Sequence, residues 1–323
     1  MGDKTGLYWK IKALAQELGF ADFGIAPAGE VSEISRNNYL HALEKGYFAD
    51  MGYLHKNIEK RFDPCLMVED AASILVFLAP YSLPDSITPP QGVSNYALGK
   101  DYHKTIKDKL FILMRMLKDI HPDFAGRAFV DSAPVLERDW GVKAGLGFVG
   151  KNNFLISHSC GIKNFIGCII CNLTIPATRD MEPEKVQGNA GGCGECTRCL
   201  DACPTGALCN PYKMDARKCI SYHTIENRNL KEDIANNVVP DMDGKYFGCD
   251  SCADACPWNS RNIPGWEEFH TNYTILEKAD FSWWHTISEM EFKEIFTDSP
   301  LLRGGLENIQ TSLEWGKKCK RNG

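Results

Sequence analysis

Seven of the fourteen cysteines in this 323-residue chain fall into two short runs, and two more, Cys209 and Cys219, lie between them. The first run is Cys193-x2-Cys196-x2-Cys199-x3-Cys203-Pro204. Thiolates are soft ligands suited to iron–sulfur clusters. In two-cluster ferredoxins this spacing gives three cysteines to one cubane and sends the fourth, before proline, to the other. Structural zinc more often takes paired C-x2-C knuckles. The second run, Cys249-x2-Cys252-x3-Cys256-Pro257, is one cysteine short, and Cys219 can fill the vacancy. The arithmetic then closes at two sets of four: Cys193, Cys196, Cys199 and Cys256 for one cluster, and Cys203, Cys219, Cys249 and Cys252 for the other. Of the remaining six, Cys168 and Cys171 form a C-x2-C inside an apolar strand pattern. Residues three apart on a strand face opposite sides, so the pair reads as buried small hydrophobes.

Such clusters move single electrons and perform no carbon chemistry themselves. A pure carrier would not need the long chain that precedes Cys193, so an enzyme is expected, with its reaction in the N-terminal half.

The elements that must position this chemistry follow from periodicity. Leu7, Ile11, Leu14, Ala15 and Leu18 share one helical face, ended by Gly19. Asp22–Ala26 suits a short strand and Ala42–Leu54 a helix. Ser73–Ala79 is apolar throughout, a strand buried on both faces and stopped by Pro80. Ile106, Leu110, Leu113, Met114 and Leu117 mark a long amphipathic helix closing near His121-Pro122. Ala128–Val130 predicts a strand ending at Asp131, Pro134–Ala144 a helix with proline in its first turn, and Phe165–Ile175 another strand. The fold expected is an α/β (α+β) domain over 1–178 and a ferredoxin-like two-cluster domain over 179–265. A polar linker over 179–192 joins them, and a helical tail over 266–323 packs on the first domain. Ser288–Phe296 is its clearest helix.

Composition bounds the partners. Hydrophobic residues at 44% and charged residues at 24% are ordinary globular values. The net charge of −6 argues against indiscriminate nucleic-acid binding through bulk charge. No secretory signal or membrane-length apolar run is visible, so a cytoplasmic protein is expected, with no membrane partner. Gly145-x-Gly147-x-x-Gly150 matches a dinucleotide fingerprint on paper, but the segment before it reads as helix rather than strand. Its glycines fit close backbone approach instead. Lys317, Lys318, Lys320 and Arg321 form a basic group that suits either RNA phosphate or a solvated tail.

Val130-Asp131-Ser132-Ala133-Pro134-Val135-Leu136-Glu137-Arg138, then Lys143-Ala144-Gly145-Leu146-Gly147-Phe148-Val149-Gly150-Lys151-Asn152, resemble the epoxyqueuosine reductase family once the cysteine runs are added. Further matching stretches are Lys60–Pro64, Tyr96–His103, Lys218–Tyr222, Gly248–Asp250 and Cys256–Asn259, so the similarity runs from about residue 5 to 310. The resemblance implies cobalamin and two 4Fe–4S clusters as cofactors. The substrate it implies is tRNA bearing epoxyqueuosine at the wobble position, reduced to queuosine by cob(I)alamin that the clusters feed. It implies Asp131 as proton donor, with a pKa raised by burial; helix capping is the competing reading of that residue. Cofactor contacts implied are Arg61, Ser94, Asn95, Tyr96, Asp131, Arg138, Lys151, Asn152 and Ser221. His103 reads better as a helix-start residue than as a cobalt ligand.

The family usually has Arg where Asn95 stands, and often Gly-Ser where Gly161-Ile162 stands; both bear on cobalamin contacts. Longer members carry C-terminal helical repeats that help hold tRNA, so a short form gripping tRNA through other surfaces is implied. A monomer and an unidentified low-potential electron donor complete the picture. The alternatives are a related corrinoid reductase of the dehalogenase type and a non-catalytic iron–sulfur electron-transfer protein.

Overall fold

The computed structural model describes residues 4–188 and 192–322. At its centre is a four-stranded sheet in the order β1-β2-β6-β3, with every neighbouring pair antiparallel. The strands are β1 (Asp22–Pro27), β2 (Ser73–Pro80), β3 (Gly126–Phe129) and β6 (Asn164–Cys171), while β4 (Gly147–Val149) and β5 (Leu155–Ser157) form a separate hairpin. The antiparallel order makes the domain α+β.

Side-chain alternation explains the layers. From β2, Leu75, Phe77 and Ala79 enter one core, and Ile74, Val76 and Leu78 enter the other. Both faces are therefore covered, which is why the strand reads as continuously apolar. The first face is closed by α1 (Lys4–Glu17) and α3 (Tyr102–Ile120), whose Ile106, Leu110, Leu113 and Leu117 form one buried stripe. The second face takes Tyr39 from α2 (Glu33–Glu44) and Trp140 from α4 (Glu137–Lys143). Cys168 points into the second core and Cys171 into the first, as their spacing requires.

Three sequence expectations need correction. The helix placed at Ala42–Leu54 lies earlier, at Glu33–Glu44, where Ser32 caps it by accepting from the Ser35 amide. The helix expected from Pro134 starts at Glu137, and residues 131–136 are a turn. The polar stretch after 178 is not a free tether: it contains helices Thr178–Met181 and Pro183–Gly188. Glu182 accepts from Tyr8 and Lys12, and Lys185 donates to Asp22, so this strap is bound to α1 and the sheet edge.

The C-terminal segment contributes α5 (Glu289–Ile295), begun by a Ser288/Glu291 capping box, and α6 (Leu306–Asn322). Trp284, Phe292, Phe296 and Leu301 pack on Val93, Ala97, Leu98 and Phe247. The tail thereby clamps the loop before α3 onto the cysteine-rich region. Trp266 and Phe269 reach further, into the first core. Among the described residues no helix is long and apolar enough to cross a membrane.

Candidate active site and cysteine cages

Four of the cysteines that the spacing assigns to one cluster line a common cavity. A cavity of about 190 Å³ is lined by Cys193, Cys196, Cys199 and Cys256, with Trp258 on its wall. The short helical turns Arg198–Asp201 and Ser251–Asp254, which carry the two C-x2-C repeats forward, lie against each other. Electrostatics draws the same partition. Burial raises the Cys199 thiol, and the charges of Cys193, Cys256 and Cys196 push it further. Burial likewise raises Cys252, with Cys249, Cys219 and Cys203 adding to the shift. Thiols whose ionised forms would lie this close together are deprotonated when a cation lies between them. Among the described residues no group of three or more His, Cys, Asp or Glu side chains could hold a metal ion. That finding and the cavity are compatible, because a cubane spreads its thiolates around a cluster rather than around one ion.

The β4–β5 hairpin is fitted closely to both cages. A side chain at Gly147 would place Cβ 1.9 Å from the Ile156 carbonyl oxygen, so only glycine permits this pairing. Next to it, the Lys151 amide lies 3.4 Å from Cys193 Sγ, and Lys151 Nζ donates to the carbonyls of Gly194 (2.7 Å) and Cys196 (3.0 Å). Asn152 is buried and its Nδ2 donates to the Cys252 carbonyl at 3.3 Å. Both residues were expected at the corrin; in this structure Lys151 Nζ and Asn152 Nδ2 donate to the cysteine loops, and Asn152 Oδ1 accepts from the Phe154 amide at 3.2 Å. Ser221 lies at the start of a single π-helical turn, Tyr222–Glu226. Its amide and that of Tyr222 are directed at Cys219, opposing the rise that burial imposes on that thiol.

The loop before α3 docks on the second cage. The Ser94 hydroxyl donates to Asp250 Oδ1, and the Asn95 amide donates to Asp250 Oδ2 at 2.7 Å. Asp250 stands between Cys249 and Cys252, so one carboxylate joins this loop to that cage. Gly248, at φ +74°, leaves room for the approach; a Cβ there would lie 2.6 Å from Ser94 Cβ. The Asn95 side-chain oxygen is buried with no hydrogen-bond partner among the described residues, and Tyr96 sits beside it with its ring 6.2 Å from Tyr102. A buried acceptor without a donor is costly unless something supplies one. An amide-rimmed cofactor such as cobalamin meets that need, so this residue set fits the group.

Tyr102 opens α3, and Asp101 caps it by accepting from the His103 amide at 2.8 Å. That cap fixes three side chains at once. Tyr102 stacks on Phe165 with centroids 4.1 Å apart and donates its hydroxyl proton to Asp131 Oδ2 at 2.5 Å. His103 Nδ1 lies 2.6 Å from Asp101 Oδ1, and its Nε2 lies 3.6 Å from Asp131 Oδ2. Asp131 itself has φ +53°, and its amide donates to Glu137 Oε1 at 2.7 Å. No cap joins it to α4, so the capping reading fails.

The Asp131 side chain is 64% exposed yet densely surrounded, as on the floor of a cleft. Burial works to raise its pKa, but the His103 ion pair and the Tyr102 hydrogen bond prevail and hold it at about 2. For His103, burial works downward, and bonds to Asp101 and Asp131 lift it to about 9. The expected raised pKa of Asp131 is therefore not found in this geometry; the proton resides on His103. Glu137 is pushed up to about 8, chiefly by burial and then by the charge of Asp131. His103, Tyr102 and Glu137 all contact Asp131, an arrangement that periodicity did not disclose although all three lie inside the quoted motifs.

Two expected contacts sit differently. Arg61 is buried, with Nη2 donating to the Tyr53 carbonyl at 2.9 Å and its guanidinium 5.8 Å from the Tyr39 ring, so part of its donor set is spent on its own loop. Arg138 is exposed at the start of α4, where its charge acts on Asp131. Of the C-terminal basic group, Lys317 lies over the Phe281 ring at 3.0 Å and Lys318 over Trp315 at 5.6 Å. The side chains of Lys320 and Arg321 lie outside the described residues.

Residues 192–259 match the family described as 4Fe-4S double cluster binding domain, and residues 61–132 match the family described as Epoxyqueuosine reductase QueG, DUF1730. The epoxyqueuosine reductase of Leadbetterella byssophila is 38% identical over 311 residues, which cover 96% of this chain and 98% of that protein. The chain belongs to the epoxyqueuosine reductase family. The Escherichia coli epoxyqueuosine reductase is 33% identical over 327 residues, covering 96% of this chain and 82% of that one. A crystal structure of epoxyqueuosine reductase with an epoxyqueuosine-modified tRNA-Tyr stem loop matches at TM-score 0.82 and 27% identity, over 97% of this chain and 81% of that chain. The Bacillus subtilis epoxyqueuosine reductase, solved with its aspartate catalytic loop swung out of the active site, matches at TM-score 0.79 and 26% identity, over 97% of this chain and 82% of that chain.

Proposed function

We propose that this epoxyqueuosine reductase converts epoxyqueuosine to queuosine at the wobble position of tRNA, using cobalamin and two 4Fe–4S clusters. The observation that carries the reading is the Asp131–His103 pair at a cleft whose neighbouring loop is fastened to the second cysteine cage. When bound, the reduced corrin, with the clusters as its source, would supply the two electrons of the reduction, in which two protons are taken up and the epoxide oxygen leaves as water.

The chain's own residues do the rest. Cys193, Cys196, Cys199 and Cys256 would hold the outer cluster, and the loop around them is solvent-exposed at Gly194, Glu195 and Arg198. A low-potential donor protein meeting a monomeric enzyme would dock there. Cys203, Cys219, Cys249 and Cys252 would hold the inner cluster, facing Ser94, Asn95 and Tyr96, which would bind the corrin with Ser221, Arg61 and Arg138 at the margins of the site. Asp131 is the proton donor to the epoxide oxygen, and His103 Nε2 is the reserve from which it is charged. Covering the cleft removes water from the carboxylate, and desolvation then favours its protonated form at the expense of His103. Support for a mobile Asp131 turn comes from the Bacillus subtilis relative, whose aspartate loop has been seen swung out. The cytoplasm is the proposed location, because thiolate cages need a reducing compartment.

The test is anaerobic purification with cobalamin, incubation with epoxide-bearing tRNA and a chemical reductant, and mass analysis of the released nucleosides. Queuosine is the expected product. Cluster reduction with unchanged tRNA would leave an electron carrier, and turnover of small halogenated substrates alone would point to a dehalogenase.

A further inference from the structure

Asp131 is the only residue of its turn in the left-handed region, at φ +53°, a conformation that a non-glycine residue keeps only when its surroundings insist. Its carboxylate is held from α3, by Tyr102 and His103. Its backbone is held from elsewhere. The Asp131 amide is bound at 2.7 Å by the Glu137 carboxyl, six residues on. Glu137 opens α4, a helix fixed to the sheet by Trp140, which is fully buried. A side-chain acceptor for this amide is unusual economy: within the turn the backbone bonds run from Ser132 to Val130 and from Val135 to Ala133, and neither uses the Asp131 amide.

We infer that Glu137 is a positioning residue for the reduction, a latch that holds the Asp131 turn in its working position by binding the Asp131 amide. The inference rests on the reading of Asp131 as proton donor. Glu137 touches no reacting atom; it fixes the backbone from which Asp131 projects. It divides the labour with α3: Tyr102 and His103 orient the carboxylate, and Glu137 determines whether the turn that carries it is docked. A turn released from Glu137 would still be tethered at Val130, buried in the first core, and at α4, so release would be a local swing rather than unfolding.

The experiment uses the complete enzyme with both clusters and cobalamin. Glu137→Ala is expected to lower kcat about tenfold, the scale of one buried hydrogen bond, with KM for the tRNA and iron content little changed. Glu137→Gln, which keeps a carbonyl acceptor, is expected to restore most of that loss. Hydrogen exchange over residues 130–136 should be protected in the native protein and fast in Glu137→Ala, with Glu137→Gln again between them. Should Glu137→Ala fail to fold, exchange at the Asp131 amide of the native enzyme still decides: a fast, unprotected amide overturns the latch. Full kcat in Glu137→Ala alongside an inactive Asp131→Ala would overturn the latch and leave the proton-donor reading intact. Full activity in Asp131→Ala would instead sink the donor reading, whatever the exchange rates show.

Discussion

His103 Nε2 lies 3.6 Å from Asp131 Oδ2, with the opposite ring nitrogen 2.6 Å from Asp101. The imidazole is therefore held between two carboxylates, in an arrangement that favours its charged form and supplies one proton beside the cleft. Removing either member of the pair should be felt in proton transfer rather than in cofactor loading. Asp131→Ala and His103→Ala are each expected to cost on the order of 10²-fold in kcat, the usual scale of general acid catalysis. Visible spectra should show clusters and corrin retained. Unaltered single-turnover reduction in Asp131→Ala would falsify its role as donor.

The same pair makes a prediction about pH. His103 is raised from 6.5 to about 9, so its share of stability is complete below pH 6.5 and fades as pH climbs through 9. Asp131 is lowered from 3.8 to about 2, so its share is present above 3.8 and is lost as pH falls through 2. The ion pair is thus complete from about pH 4 to about pH 6.5, and its two ends fail outside opposite limits. An NMR titration of the His103 ring in native protein should give a midpoint well above 6.5, and Asp131→Asn should bring it down. An unshifted midpoint in that variant would show that Asp101 alone sustains the charge.

The Ser94–Asp250–Asn95 bridge joins segments more than 150 residues apart. Asp250→Ala leaves a buried hydroxyl and a buried amide without acceptors, at a cost of about 1–3 kcal/mol for each group stranded. Thermal unfolding should move down accordingly, and cobalamin affinity should weaken with it. Native affinity in a destabilised Asp250→Ala would separate the bridge from corrin binding.

Ligand exchange between the cages is tested by paired substitutions. Cys256→Ala should disturb the cluster of Cys193, Cys196 and Cys199, whereas Cys219→Ala should disturb that of Cys203, Cys249 and Cys252. Iron analysis with electron paramagnetic resonance of the reduced protein distinguishes them. Loss of the same signal from both variants would break the proposed partition.

Much of this was legible because local spacing carried it. The cysteine runs pointed to a two-cluster domain before any fold was known, and the i, i+3, i+4 stripe from Ile106 to Leu117 defined α3. The uniformly apolar β2 announced a sheet covered on both sides, yet nothing local revealed that all its neighbours run antiparallel. Residues 134–136 were read as the start of a helix because Pro134 suits a first helical turn, whereas the chain delays α4 until Glu137 and spends that residue on the Asp131 amide. Lys151 and Asn152 were assigned to the corrin because they follow a glycine-rich stretch; only the folded hairpin shows that it abuts both cages. His103 was read as a helix-start residue, and it is one; its pairing with Asp131, twenty-eight residues on, leaves no periodic signature.

Each cage borrows from the other's stretch of chain: Cys256 closes the pocket of the first run, while Cys203 leaves that run to join Cys219, Cys249 and Cys252. Neither inorganic core can therefore be seated while the remaining polypeptide is still unthreaded. Both stretches must meet before either core is complete, so oxidative damage to one centre should loosen the chain around its neighbour while leaving that neighbour its own four sulfurs.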